Sequence, residues 1–242
     1  MQSRSSGSTE PWRNSLLSAL DAEEYSELLE DAEKVDLKLR TVLYEANGPI
    51  THVLFLIRGV ASIIAPVGDG TSVEVGTVGS EGFVGLPLLF GVDREPAKAI
   101  IQVADGGVRV TAAAFQKAVA DSAALRGLFL RYAQSYMSQV SQSSACNRAH
   151  SIEERCARWL LMTHDRVAAD EFPLTHEFLS LMLGVRRAGV TVAASMLQKA
   201  GLIEYTHGRV KIIDREGLEE AACACYQIIR NSYGGLSQPL SH

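Results

Sequence analysis

The apolar positions change their period three times along the chain. From about Ser15 to Ala32, Leu16, Leu17, Leu20, Tyr25, Leu28 and Leu29 recur at mixed three- and four-residue steps, which predicts short helices. After Val35 the apolar residues gather in short runs at 42–44, 52–57, 60–64 and 72–75, and again at 98–103 and 107–111. Glycines punctuate these runs, and nine of the chain's 20 lie between 48 and 91. Short strands with glycine turns predict an antiparallel sandwich, barrel or roll. From Ser122 the period turns helical. Leu125, Phe129, Tyr132, Tyr136 and Val140 form one stripe on a helix expected over about 122–146. Such a stripe must be covered, by the β-domain or by a second copy of itself, and a dimer seam is the preferred reading.

Beyond the long helix, Ser151-Ile-Glu-Glu154 fits a capping box and opens an apolar helix through Met162. The stretch 173–213 carries the most information. Thr175 is suited to N-cap a short helix over 176–183, Gly184-Val185-Arg186 breaks it, and a second helix over about 187–200 ends at Gly201. Phe178, Leu179 and Met182 can face Val190, Ala194 and Leu197, which predicts a helix-turn-helix. Two runs, 202–205 and 209–213, joined by Thr206-His207-Gly208, predict a hairpin. Helix-turn-helix plus hairpin is a winged helix.

Charge sharpens this picture. The chain has a net charge of −5, yet all of it falls in residues 1–147, with 12 Lys+Arg against 17 Asp+Glu; residues 148–242 balance at 11 each. Between 176 and 211, Arg186, Arg187, Lys199, Arg209 and Lys211 face only Glu177 and Glu204. A nucleic-acid site needs one basic face, not a basic protein. Arg186 and Arg187 start the second helix, the end that such helices push into the major groove, and Thr191 lies one turn on; these are the candidate base readers. Thr175, His207, Arg209 and Lys211 are the candidate phosphate contacts.

From about residue 15 to 230 the chain resembles the Crp–Fnr superfamily of bacterial transcription regulators. The resemblance rests on the roll segments Gly48-Pro-Ile-Thr-His-Val-Leu-Phe-Leu-Ile-Arg-Gly59 and Gly79-Ser-Glu-Gly-Phe-Val-Gly85, the long helix, Ser151-Ile-Glu-Glu-Arg-Cys-Ala-Arg-Trp-Leu-Leu161 and the 173–213 stretch. It implies an α+β chain: an N-terminal double-stranded β-roll of the cyclic-nucleotide-binding type, a long dimerisation helix and a C-terminal winged helix-turn-helix. The partners it implies are a second copy of the chain, a pseudo-palindromic double-stranded DNA operator and RNA polymerase. The expected division is a disordered lead-in at 1–14, a sensor at 15–121, a dimerisation helix and hinge at 122–150, and a DNA-binding domain at 151–242.

Departures from the family pattern bear on the ligand. In cyclic-nucleotide-binding members a glutamate follows the glycine matching Gly85, and an Arg-Ser/Thr-Ala segment pairs the phosphate. Here Leu86 and Pro87 follow, and the later segment reads Glu95-Pro96-Ala97-Lys98-Ala99. Lys98 offers one ammonium and no bidentate fork. The effector pocket of Gly85, Leu86, Ala97 and Lys98 is therefore degenerate, and cyclic AMP is expected to bind weakly or not at all. On the recognition helix, Ala188 replaces the glutamate that familiar members carry after the arginine matching Arg187, so their operator sequence does not transfer.

The remaining candidates have plain readings. No cysteine precedes Cys146, which excludes the N-terminal iron–sulfur ligation of the Fnr-type oxygen sensors. Cys146 and His150 share a helix face, but two ligands are too few for a structural zinc site. Cys223 and Cys225 are poorly placed for a local disulfide, and Cys156 reads as core; a redox role for any of the four would need a depressed thiol pKa. His52 reads as a structural strand residue and Glu81 as a turn residue. No metal and no cofactor are expected, and no G-x-S-x-G, HExxH or P-loop is present, so the reading is not an enzyme. No apolar run approaches the roughly 18 residues of a membrane span, and the polar start lacks a secretory leader, which points to the cytoplasm. The alternative function is an effector-binding or protein-interaction module whose winged helix does not bind DNA.

Overall fold

The computed structural model describes residues 14–68, 70–167 and 169–236. Of the lead-in, only Asn14 lies among them, and it is part of the fold. It is fully buried, caps the helix α1 (Ser15–Ser18) through Leu16 N and Leu17 N, and its amide donates to Leu56 O and Gly82 O at 2.9 and 2.8 Å. A capping box at Asp21 and Glu24 then opens α2 (Ala22–Leu28).

Eight strands follow: β1 (Glu33–Leu37), β2 (Val42–Tyr44), β3 (His52–Leu56), β4 (Val60–Gly68), β5 (Thr71–Val78), β6 (Phe83–Val84), β7 (Lys98–Val103) and β8 (Asp105–Thr111). They form two antiparallel four-stranded sheets, ordered β1-β8-β3-β6 and β2-β7-β4-β5. The chain passes repeatedly from one sheet to the other, as a β-roll does. Two of these strands, β1 and β6, escape sequence reading: β1 is largely polar and exposed, and β6 is two residues long. Strand β4 extends four residues beyond the predicted run and shows no alternation, because both faces of its first half are covered.

The roll's inner face is packed by Phe55, Phe83, Phe115, Phe129 and Tyr132, with neighbouring ring centroids 4.9–6.0 Å apart. Phe115 comes from α3 (Ala112–Asp121), and Phe129 and Tyr132 come from α4 (Ala123–Ala149). Ser122 is extended, ends α3, and caps α4 by accepting from Leu125 N. Two glycines admit two tyrosines of α4 against the sheets. A Cβ on Gly82 would sit 2.1 Å from the Tyr132 ring, and one on Gly76 would sit 2.4 Å from the Tyr136 hydroxyl.

These contacts correct the seam expected on α4. Leu125, Phe129 and Tyr132 are buried in the chain's own roll, and Tyr136 packs on the same core; Val140, one turn on, is half-buried. The largest apolar side chains offered the most transfer free energy, and the adjacent β-sheets took them. The face of α4 left to solvent is a different one. Leu130, Gln134, Met137, Ser141, Ser144 and Arg148 follow one another in steps of four and three, with Leu130 and Met137 about half exposed.

A second core holds the C-terminal part. The capping box predicted at Ser151 is present, with Glu154 N donating to Ser151 Oγ and Ser151 N to Glu154 Oε2, and it starts α5 (Ile152–His164). Around α5 lie β9 (Glu171–Pro173), α6 (His176–Leu183), α7 (Arg187–Lys199), β10 (Ile203–Thr206), β11 (Arg209–Ile212), α8 (Arg215–Ala221) and α9 (Cys225–Tyr233). The strands order as β10-β11-β9, so the predicted hairpin gains a third strand that a three-residue segment ending in proline did not announce. Ile64 and Ile100 belong to this second core, which is why the β2-β7-β4-β5 sheet is covered on its outer face as well. Polar contacts reinforce the junction: Trp159 Nε1 donates to Glu74 Oε1 at 2.8 Å, Gln139 Nε2 to Thr77 O at 2.9 Å, and Arg166 pairs with Glu81 at 2.7 Å. Glu81, read from sequence as a plain turn residue, is thus an anchor of that junction.

Candidate nucleic-acid interface and sensor cavity

Local rules place the DNA-reading candidates. Thr175 caps α6 by accepting from Phe178 N at 3.1 Å, and Gly184 ends it in the left-handed region at φ 63°. The chain then bends by 106° into α7, within the range of a helix-turn-helix. Arg186 occupies the N-cap position and Arg187 the first turn, both exposed. Val190, Ala193, Ala194 and Leu197 face the core, and the opposite face presents Arg187, Thr191, Val192, Ser195, Met196 and Lys199. Val192 and Met196, each more than half exposed, were missed by sequence reading. Their signal is apolar residues out of phase with the buried stripe, and such side chains suit a thymine methyl. Thr191 is partly committed: its hydroxyl donates to Arg187 O at 3.1 Å and meets His176 Nδ1 at 3.0 Å. Burial and the nearby Arg187 hold the His176 imidazole below its usual pKa, so it is neutral there at pH 7.

The wing turns on His207 and Gly208, both at positive φ (51° and 75°), the signature of a two-residue hairpin turn. His207 and Lys211 are exposed. Arg209 is engaged in an ion pair with Glu171 of β9. Both partners are about half exposed, so the pair is weak and exchangeable for a phosphate. Adding Glu171 lowers the local excess to five cations over three carboxylates. Arg186 opens onto a groove of about 940 Å³ between the helix-turn-helix and the roll, where Arg40 and Lys98 also lie.

That position corrects the pocket assignment. Gly85 and Leu86 line a cavity of about 300 Å³ between the sheets and α4, but Lys98 points to the outer groove and Ala97 is packed in the core. Alternation along β7 sends neighbouring side chains to opposite faces. The cavity is apolar, with Ile63, Phe83 and Phe90 in its wall, and its polar groups are Glu95 and the hydroxyls of Tyr44, Tyr132 and Tyr136. Among the described residues no cation lines it. Tyr44 donates to Glu95, and burial pushes the Glu95 carboxyl above its usual range while that bond pulls it down. Tyr132 donates to Phe83 O at 3.0 Å, and burial raises all three phenols, keeping them neutral donors. Arg94, the nearest arginine in sequence, is exposed and donates to Asn47 O.

Comparison with known proteins agrees with this geometry. Residues 154–221 match the Crp-like helix-turn-helix domain family. The C-terminal part is a Crp-like helix-turn-helix domain, carried in a Crp/Fnr-type fold. A protein from Eubacterium rectale assigned to the Crp/Fnr family superposes on the chain with a TM-score of 0.67 at 18% identity, covering 86% of this chain and 97% of its own. FixK2 from Bradyrhizobium japonicum gives 0.68 at 16% identity, covering 80% and 98%. The c-di-GMP-responsive regulator CLP from Xanthomonas campestris gives 0.60 at 18% identity, covering 79% and 99%. No curated protein matches the sequence. Among the described residues no single helix is long and apolar enough to cross a membrane.

Residues on either side of the Crp-like domain meet in a group that no local spacing announces. Cys223 sits in the break between α8 and α9 and Cys225 opens α9; α9 packs along α4, where Ser135 Oγ donates to Ser232 O at 2.6 Å. This brings both cysteines to Cys146 and His150 at the end of α4. Cys146 Sγ lies 3.4 Å from Cys223 Sγ, and Cys225 Sγ lies 3.6 Å from His150 Nδ1. The pair judged too small for a metal therefore belongs to a group of four. Hydrogen bonding with Cys223 draws the Cys146 thiol below its usual range, with Arg158 assisting against burial. Cys156 stands apart in the core, as expected, where burial pushes its thiol up to about 12.

Proposed function

We propose that the protein is a homodimeric, sequence-specific DNA-binding transcription regulator whose β-roll does not respond to cyclic AMP. In this reading residues 15–121 sense, 122–150 couple two copies, and the segment from 151 reads DNA. The observation that carries it is the exposed Arg186–Arg187 end of α7 within a Crp-like helix-turn-helix. Arg187 is the base reader, with a guanidinium fork suited to guanine; Arg186, Val192, Met196 and Thr191 line the same approach. His207 and Lys211 contact phosphate directly, Arg209 does so by exchanging Glu171, and Thr175 lies beside them. Arg187→Ala should relax base preference by about 1–3 kcal/mol at one position, whereas Lys211→Ala should weaken binding to all sequences and reduce the salt slope by about one. A binding selection on both variants checks this, and identical outcomes would refute the division of roles.

Two copies are needed because half-sites lie about 34 Å apart, so a modest rotation at the hinge makes or breaks binding. The exposed Leu130–Met137 face of α4, in steps of three and four, supports pairing of two long helices. Leu130→Asp with Met137→Asp should raise the dimer dissociation constant by about tenfold or more, with the circular dichroism spectrum unchanged. Sedimentation velocity reads the result. RNA polymerase is the further partner that such a regulator implies.

Charge argues against cyclic AMP as the effector. A cyclic phosphate in the 300 Å³ cavity would meet Glu95 and, among the described residues, no cation. Titration calorimetry should register no submicromolar affinity. The competing reading, an interaction module that leaves DNA alone, draws on the Arg209–Glu171 pair, which occupies a wing cation. Genomic footprinting separates the two: discrete palindromic peaks support the regulator, and their absence supports the module.

A further inference from the structure

Four side chains with metal-ligating chemistry meet at the hinge, apart from both the DNA-reading helix and the cavity. Cys146 is on the last turn of α4, His150 is its C-cap residue, Cys223 lies in the α8–α9 break, and Cys225 is the first residue of α9. Their ligand atoms all lie within 4.8 Å of one another, and the three cysteines are buried. We infer that Cys146, His150, Cys223 and Cys225 bind one tetrahedral ion of the zinc(II) class, which clamps the C-terminal helices to the end of the long helix.

The distances fit a single ion. Zinc–sulfur bonds of about 2.3 Å and zinc–nitrogen bonds of about 2.0 Å in a tetrahedron hold sulfurs roughly 3.8 Å apart and sulfur roughly 3.5 Å from nitrogen. The pairs at 3.4 and 3.6 Å lie close to these values. An iron–sulfur cluster has several irons between its thiolates and would hold them further apart. Three thiolates and one imidazole are a soft to borderline set that favours zinc over calcium or magnesium. A second observation concerns charge. Arg155 and Arg158 are buried on α5, and neither has a carboxylate within ion-pair distance among the described residues. Arg155 donates to Leu183 O, Arg158 bonds Ser143 Oγ and Met162 Sδ, and the Nε of each lacks a partner among the described residues. Zinc(II) with three thiolates and neutral imidazole carries −1, which offsets positive charge buried alongside. Gln142 Nε2 also donates to Cys225 Sγ at 3.1 Å, the sort of outer contact that orients a ligand.

On binding, zinc(II) replaces the protons of the three thiols, which pass to the buffer, and neither sulfur nor metal changes oxidation state. The ion would join α4 to the α8–α9 break on either side of the helix-turn-helix, restraining the hinge.

The test uses the full chain, purified under reduction, stripped with chelator and titrated with zinc(II) and cobalt(II). One zinc per chain is expected, with the intense visible bands and thiolate charge transfer of tetrahedral cobalt. Cys225→Ser should lower zinc affinity by about a hundredfold or more, and Cys156→Ser should leave it unchanged. His150→Cys keeps four donors and should retain the ion with a shifted cobalt spectrum. The inference is overturned if reduced wild-type protein binds neither ion, if Cys225→Ser binds zinc like wild type, or if the protein instead carries a Cys146–Cys223 disulfide, two hydrogens lighter, with no metal. None of these readouts depends on DNA.

Discussion

Arg166→Met should destabilise the protein by about 3–5 kcal/mol, the largest effect expected of any single polar side chain here. Arg166 is almost wholly buried and sits where three parts of the chain converge. Its Nε and Nη2 donate to Glu81 Oε1 at 2.8 and 2.7 Å, Nη1 to Met162 O at 2.7 Å, and Nη2 to Gln139 Oε1 at 3.1 Å. Gln139 is itself buried and holds Thr77 O, while Tyr233 of α9 donates to its side-chain oxygen. Methionine preserves the volume of the stem but strands the Glu81 carboxylate, which is only 18% exposed. The cost is that of an uncompensated charge, not the net worth of the pair. Glu81→Gln combined with Arg166→Met should therefore cost clearly less than the sum of the single changes. Urea unfolding of the four proteins gives the cycle. Additive losses would mean that the two side chains act independently and that the junction is held by its apolar contacts alone.

The second large effect is a pH dependence centred on Glu74. Its carboxyl is buried between β5 and α5, with Oε1 accepting from Trp159 and Oε2 lacking a partner among the described residues. Burial pushes its pKa up to about 7, against the pull of the bond from Trp159 and of Ser62, Arg158 and Arg166 nearby. An unfolded chain holds that proton only below its ordinary value of 4.5. The folded state thus binds the proton more tightly, so its stabilising contribution is full below about pH 4.5 and is lost as pH rises through about 7. Up to roughly 3 kcal/mol is at stake across that window, with no further change above it. Glu74→Gln stays neutral and should flatten the difference. Urea midpoints of wild type and variant at about pH 5, 6, 7 and 8 decide it; parallel curves would mean that Glu74 stays ionised throughout. Glu74 is buried between β5 and α5, so ionising it in place costs desolvation that its bond from Trp159 offsets only in part, and the same titration should loosen the docking of α5 on the roll.

Where sequence reading succeeded, the structure was held by neighbours along the chain. Ser151 and Glu154 close their box within one turn, Thr175 caps α6 with its own side chain, and Gly184 and Gly201 take the left-handed turns that end helices. It also brought out the roll's main strands, whose glycine turns are local. The helix α3 was missed because alanines dilute its stripe, leaving Phe115, Ala118 and Val119 as the buried contacts.

The remaining misreadings share one cause. On α4 the strongest stripe was assigned to a partner when it belonged to the chain's own roll, a choice made by Phe55 and Phe83 from far upstream. Lys98 seemed to face the cavity until the strand's pairing with β2 and β4 turned it outward. Cys146 and Cys223 are 77 residues apart, and no spacing rule joins them; the packing of α9 along α4 does. Caps, turns and periodicity are written in residues a few positions apart, where backbone geometry leaves few alternatives. Which face turns inward, and which distant side chains meet, depends on competition among all surfaces for burial, and that is resolved only when the whole chain has packed.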